Sequence, residues 1–146
     1  MAGQNFRTPV RALAGFVADE YFIAATDLSG SGQFRFVSAG SVSGEVVLAT
    51  GASNPVPLGV LQNAPTAGLP ARVRMFGKST VTACPAACIL IPGTLISSAS
   101  LGTACATGLL GISLGRWLSA SLSGSSTTGE AFINCVGFTA CPGAAS

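Results

Sequence analysis

The feature that constrains this chain most is a two-residue alternation. In Ala71-Arg-Val-Arg-Met-Phe76, Val73 and Met75 alternate with Arg72 and Arg74, and in Gln33-Phe-Arg-Phe-Val-Ser38, Phe34 and Phe36 alternate with Arg35. Successive side chains of a strand point to opposite faces, so this pattern places one face in a core and leaves the other to water. A helix needs apolar residues at i, i+3, i+4 and i+7, and the 19 glycines and 8 prolines interrupt every long candidate. Short β-branched or aromatic runs separated by Gly, Ser, Asn and Pro predict strands at residues 21–26, 33–38, 45–50, 57–62, 71–76, 78–83, 88–91, 109–114 and 131–138. Turn residues at 29–32, 53–55, 67–68, 92–93 and 124–129 separate them. The expected fold is mainly β, a small β-barrel or β-sandwich, with at most two short helices at residues 10–18 and 116–121. Residues 1–9 are polar and lack strand pattern, which predicts a flexible N-terminal arm before a single β-rich domain at residues 10–146.

Charge narrows the function classes. Only 8% of the residues are charged against 49% apolar, where a soluble domain carries roughly 25% charged residues. A lone protomer would expose contiguous apolar area, and burying it gains roughly 25 cal/mol per Å². The expectation is a self-assembling subunit. The uncharged segment between Lys78 and Arg116 is the candidate membrane span, but Pro85, Pro92, Gly93, Thr94, Ser97, Ser98, Ser100 and Thr103 interrupt it. No run of about 20 apolar residues accumulates. The first nine residues have no apolar core of a secretory signal, so synthesis is expected in the cytoplasm. Seven Lys/Arg and five Asp/Glu give a net charge of +2, too small and scattered for nucleic acid. Arg72, Arg74 and Lys78 form the one local cluster; without interleaved aromatics it reads as the solvated face of a strand.

No catalytic set emerges. Gly111-Ile-Ser-Leu-Gly115 satisfies G-x-S-x-G, the turn that exposes a nucleophilic serine. That chemistry needs a base, and the chain contains no histidine. The acids are Asp19, Glu20, Asp27, Glu45 and Glu130; only the first two are adjacent, and neighbours on a strand face opposite ways. Gly77-Lys78-Ser79 ends like a phosphate-binding loop but lacks its earlier glycine. Cys84, Cys88, Cys105, Cys135 and Cys141 read first as small buried apolar residues, with disulfides or a thiolate metal site as the alternatives. No cofactor, metal or small-molecule substrate is expected.

Leu58-Gly-Val-Leu-Gln-Asn-Ala-Pro-Thr-Ala-Gly68, followed by Ala71-Arg-Val-Arg-Met-Phe-Gly77, resembles a pattern of tailed-bacteriophage capsid decoration, or cement, proteins. Ile91-Pro-Gly-Thr-Leu-Ile96 is similar to that family's turn between two short strands, and the run from Leu110 to Ser121, with Gly129-Glu130 beyond it, to its closing stretch. The resemblance covers roughly residues 45–138 in family order. It implies a homotrimer on the outer capsid surface of the virion, synthesised in the host cytoplasm, that bridges neighbouring major capsid subunits. The cysteines and the apolar segment at residues 84–105 depart from the family pattern.

Within the motif, Gln62 and Asn63 are suited to hydrogen-bond turn backbone, Pro65 fixes φ, and Gly68 accepts a positive φ. Together they make a turn that sets the register of the next strand. In the arm, Gln4, Asn5, Phe6, Arg7 and Thr8 are candidates for capsid contact by adding as an edge strand. The alternative from another class is a β-rich tail-fibre or receptor-binding module for a cell-surface carbohydrate. That requires an exposed aromatic, whereas Trp117 and Tyr21 are flanked by apolar residues that predict burial.

Overall fold

The computed structural model describes residues 16–51, 56–84, 89–107, 112–120 and 128–135. Within them the strands are β1 (Ala18–Ala24), β2 (Phe36–Ala39), β3 (Glu45–Leu48), β4 (Gly59–Leu61), β5 (Pro70–Thr82), β6 (Leu95–Ser98), β7 (Ala104–Ala106), β8 (Gly115–Trp117) and β9 (Thr128–Asn134), with one 3-10 turn at Ser100–Gly102. The fold is mainly β, as the turn-rich sequence requires.

The strands share one sheet in the order β1-β3-β2-β4-β5-β9-β8-β6-β7. β1 also pairs antiparallel with β5, from Ile23 opposite Pro70 to Ala18 opposite Phe76, so β1, β3, β2, β4 and β5 close into a ring. The other half curls back until Ala83 bridges to Ala104 of β7. Closure of this kind leaves little unpaired strand edge to invite aggregation. β5 is long because it serves both halves: its residues from 70 to 76 pair with β1 and those from 76 to 82 with β9.

Two cores follow from the two halves. Ala24, Val37, Val46, Leu61, Ala71 and Val73 fill the ring, whereas Phe36, Val60, Val81, Ile96, Trp117 and Ile133 belong to the other core. The neighbours Phe36 and Val37, like Val60 and Leu61, enter different cores, so β2 and β4 are buried on both faces. Trp117 is fully buried, and its Nε1 donates to the Ala120 carbonyl at 3.2 Å. Truncating such a residue to alanine costs roughly 3–5 kcal/mol.

Several sequence expectations are corrected. The strand expected from residue 33 starts only at Phe36, because Phe34 occupies a left-handed conformation at φ 63. There its N–H donates to the Leu61 carbonyl and its carbonyl accepts from Thr82, which ties β4 to the end of β5. The strands expected at residues 71–76 and 78–83 are one strand. Residues 115–117, expected to lie partly in a helical turn, form β8 between β9 and β6. The short β6, which starts at the end of the Ile91–Ile96 turn that the resemblance sets between two short strands, and β7 fall outside the strands that the residue pattern predicts; Ser97, Ser98, Ala104 and Ala106 carry no strand signal. Of the helix expected at residues 10–18, the described end contains the opening of β1. The expected arm, with Gln4, Asn5, Phe6, Arg7 and Thr8, lies outside the described residues.

Candidate functional site

The turn between β4 and β5 is held by side chains. Asn63 Nδ2 donates to the Pro70 carbonyl at 2.9 Å, and its Oδ1 accepts from the Arg72 N–H at 2.9 Å. Gly68 takes φ 83, and its N–H donates to the Ala24 carbonyl at 2.8 Å. Pro65 is buried, and its carbonyl accepts from the Leu28 N–H. Gln62 turns away from the turn: buried, its Nε2 donates to the Val60 carbonyl at 3.0 Å and to Ser79 Oγ at 2.8 Å, linking β4 to the second half of β5. Asn63 and Gln62 thus fix where Arg72 and Ser79 sit, and with them the register of the face described next.

That face is the outer side of β1, β5, β9 and β8. The register lines up Lys78, Phe132, Arg116 and Leu95 as successive cross-strand neighbours. At strand spacing this row spans about 14 Å. Ala131 and Ile133 enter the core, so Phe132 must point outward, and it is 36% exposed. Phe76 packs edge-on against Phe132 with ring centroids 5.1 Å apart, and Phe16, 58% exposed, lies 6.0 Å from Phe76. Tyr21 stands opposite Arg72 in the ladder and is 67% exposed, which corrects the expectation that it is a core residue.

Backbone geometry makes the aromatic cluster possible. Between β1 and β5 the register shifts: Ala18 faces Phe76 while Asp19 faces Arg74, so Met75 has no cross-strand partner on β1. Just beyond, Gly77 takes φ 110. The segment leading into β1 crosses over it so closely that a Cβ there would lie 2.8 Å from the Phe16 carbonyl oxygen and 2.8 Å from Val17 Cγ1. This bare backbone lets Phe16 reach Phe76.

The face is also the cationic side of the molecule. Of the described cations, Arg72, Arg74, Lys78 and Arg116 lie on it, against the carboxylates of Asp19 and Glu130, a local net charge of +2. Asp19 accepts two hydrogen bonds from Arg74, at 2.8 and 3.0 Å, and its Oδ2 lies 3.7 Å from Arg72 Nε. Arg74 Nη1 also donates to the Lys78 carbonyl at 2.7 Å, bracing the backbone on both sides of Gly77. Glu130 lies 3.5 Å from Lys78. Arg116 reaches only a backbone oxygen among the described residues, the Gly93 carbonyl at 3.1 Å. Sequence reasoning saw the Arg72, Arg74 and Lys78 cluster as solvated; it missed the rings, which come from residues 16, 76 and 132 and meet only through the ladder.

The remaining motifs gather no reactive set among the described residues. Ser113 Oγ, the serine of G-x-S-x-G, donates to the Gly115 carbonyl at 3.3 Å just before β8, and Gly111 lies outside the described residues. Among the described residues no three Cys, Asp or Glu side chains gather as for a metal, and no helix is long and apolar enough to cross a membrane. Cys105 is disulfide-bonded, which corrects its first reading as a simple buried thiol. Cys135 is a free thiol packed against the second core, and burial pushes its pKa up to about 12.

No protein-family model matches the chain, and no curated protein does either. Among solved structures it is similar to the N base of the head fiber protein gp8.5 of bacteriophage phi29, with a TM-score of 0.60 at 15% identity. The match covers 82% of this chain and 96% of that one. At that identity the likeness is one of fold, and it extends over nearly the whole of the head-fiber base.

Proposed function

We propose that this chain is a non-enzymatic structural protein of a bacteriophage head, which decorates the outer capsid surface and bridges neighbouring major capsid subunits as a homotrimer. The observation that carries the reading is the nearly full-length likeness to a phage head-fiber base. Two features agree with it: the low charge content, and an exposed aromatic face rimmed by cations, a composition enriched at protein interfaces. Phe16, which residues 1–15 precede in sequence, packs at this face. In this reading Gln4, Asn5, Phe6, Arg7 and Thr8 add as an edge strand to a capsid subunit. Three linked arms multiply a weak contact through effective concentration.

The test is to mix purified protein with heads of the encoding virus that lack it, and to weigh the bound copies. Saturable binding is expected, lost when residues 2–9 are deleted although the trimer persists. Binding that is absent, or indifferent to the deletion, contradicts the reading or the role of the arm respectively.

One observation favours the second reading, a fibre or receptor-binding module for carbohydrate. Tyr21 is exposed beside Arg72, and an exposed ring next to a polar group is what the apolar face of a sugar packs against. Saturable glycan binding abolished by Tyr21→Ala would put this reading first.

A further inference from the structure

We propose that Cys84 and Cys105 form a thiol–disulfide exchange site where the end of β5 meets β7. There the bond that Cys105 holds passes to Cys84 and ties the two strands together. The inference goes beyond the capsid reading and does not depend on it, since every group it uses belongs to one chain.

The ladder places the two sulfurs. Just past β5, Ala83 bridges in parallel to Ala104 of β7, and the Cys84 N–H donates to the Ala104 carbonyl at 2.8 Å. The chain at Cys84 therefore still runs alongside β7. Paired residues of a ladder share a side, and the residues that follow them take the other. Ala83 and Ala104 are both buried in the second core, so Cys84 and Cys105 point together to the opposite side. Each is half-buried there. The burial along β5 agrees, because Val81 and Ala83 are buried whereas Thr82 and Cys84 are only partly so. Neighbouring strands lie about 4.8 Å apart, and the Cα atoms joined by a disulfide lie roughly 4.4–6.8 Å apart. Register alone thus sets Cys84 and Cys105 at a spacing that a disulfide spans.

Their chemical states are complementary. Cys105 is disulfide-bonded and Cys84 is a thiol. A thiolate attacks a disulfide sulfur directly. The Cys84 thiol loses its proton to solvent, and its Sγ bonds to Cys105 Sγ while the bond from Cys105 Sγ to its present partner breaks. The departing sulfur leaves with the electron pair as a thiolate and takes a proton from solvent. One thiol and one disulfide enter and one of each remains, so no oxidant or reductant is consumed. Cys135, the other described thiol, packs against the second core, where burial pushes its pKa up to about 12 and keeps it from such chemistry.

The exchange changes what closes the sheet. Among the described residues, the bridge from Ala83 to Ala104 is the one ladder contact between the end of β5 and β7. A bond between the next two residues makes that closure covalent.

The full chain, purified and kept without reductant, tests this. Samples are unfolded in acid, alkylated with a maleimide and digested with chymotrypsin, and fragmentation identifies the labelled cysteines. In protein kept at about pH 6, where an ordinary thiol is protonated, Cys84 should carry label. After incubation at about pH 8.5, where such a thiol is roughly half ionised, Cys84 should lose label and one other cysteine should gain an equal amount. A peptide joining Cys84 to Cys105 should appear, and the total label per chain should stay the same. Below the thiol pKa the exchange should quicken about ten-fold per pH unit, with the thiolate fraction. Cys84→Ser should abolish the new label, and the wild-type comparison carries the test if that variant does not fold. Equal labelling of Cys84 at both pH values, a fall in total label that marks oxidation, or a redistribution that survives Cys84→Ser overturns the proposal.

Discussion

Replacing Gly77 by alanine should destabilise the protein by about 2–5 kcal/mol. Gly77 has φ 110, where a side chain is strained, and the left-handed backbone costs an L-residue roughly 1–2 kcal/mol. The new Cβ would also lie 2.8 Å from the Phe16 carbonyl oxygen and from Val17 Cγ1, 3.1 Å from Val17 Cα. Two of these three are backbone atoms that no rotamer change can move, and overpacking of this kind costs roughly 1–3 kcal/mol. The sum is the stated range. In a chain of 146 residues each kcal/mol lowers Tm by roughly 3–4 °C, so a fall of about 6–20 °C is expected. Urea unfolding should show a lower midpoint at unchanged slope, because the same surface is exposed on unfolding. The crossing segment would lift, so the contact between Phe16 and Phe76 should loosen with it, visible as faster amide exchange at the start of β1. A Tm within about 1 °C of wild type, with the exchange unchanged, would show that the crossing over Gly77 is not a structural constraint.

Two other perturbations probe the link between β4 and β5 and the second core. Gln62→Ala removes the buried donor to Ser79 Oγ and the Val60 carbonyl and leaves them without it; a loss of about 1–3 kcal/mol in urea unfolding is expected, and a neutral variant would contradict the linkage. Cys135 makes alkaline pH destabilising: its folded pKa of about 12 is above the ordinary value of 9.0, so above pH 9 the unfolded chain releases a proton that the folded chain keeps. Stability should therefore fall by up to about 1.4 kcal/mol per pH unit between those values, and Cys135→Ala should flatten that slope. An alkaline slope unchanged by the substitution would contradict burial of this thiol.

The sequence showed the class of fold and the grammar of its main hairpin, and the reasons for what it hid are specific. The alternation of Arg72 and Arg74 with Val73 and Met75 placed one face of β5 inward without ambiguity, and the turn before it was legible through Asn63 and Gly68. Gly77 read as a break between two strands because glycine usually interrupts one; here it is spent on a close crossing inside a continuous strand. Phe34 and Phe36 looked like one half-buried strand face, but Phe34 turns through a left-handed conformation and β2 is enclosed on both sides, an arrangement created by tertiary packing. The candidate face escaped notice for a related reason. Phe16, Phe76 and Phe132 are each unremarkable in sequence, and only the shared edge of β5 brings β1 and β9 together.

The central claim is that this sparsely charged chain assembles as a trimer that decorates a phage head. The most direct measurement is the mass of heads lacking the protein before and after saturation with it, alongside the native mass of the free protein. The account predicts a free trimer and bound copies that saturate in multiples of three. A stable monomer at high concentration that adds no mass to the heads contradicts it.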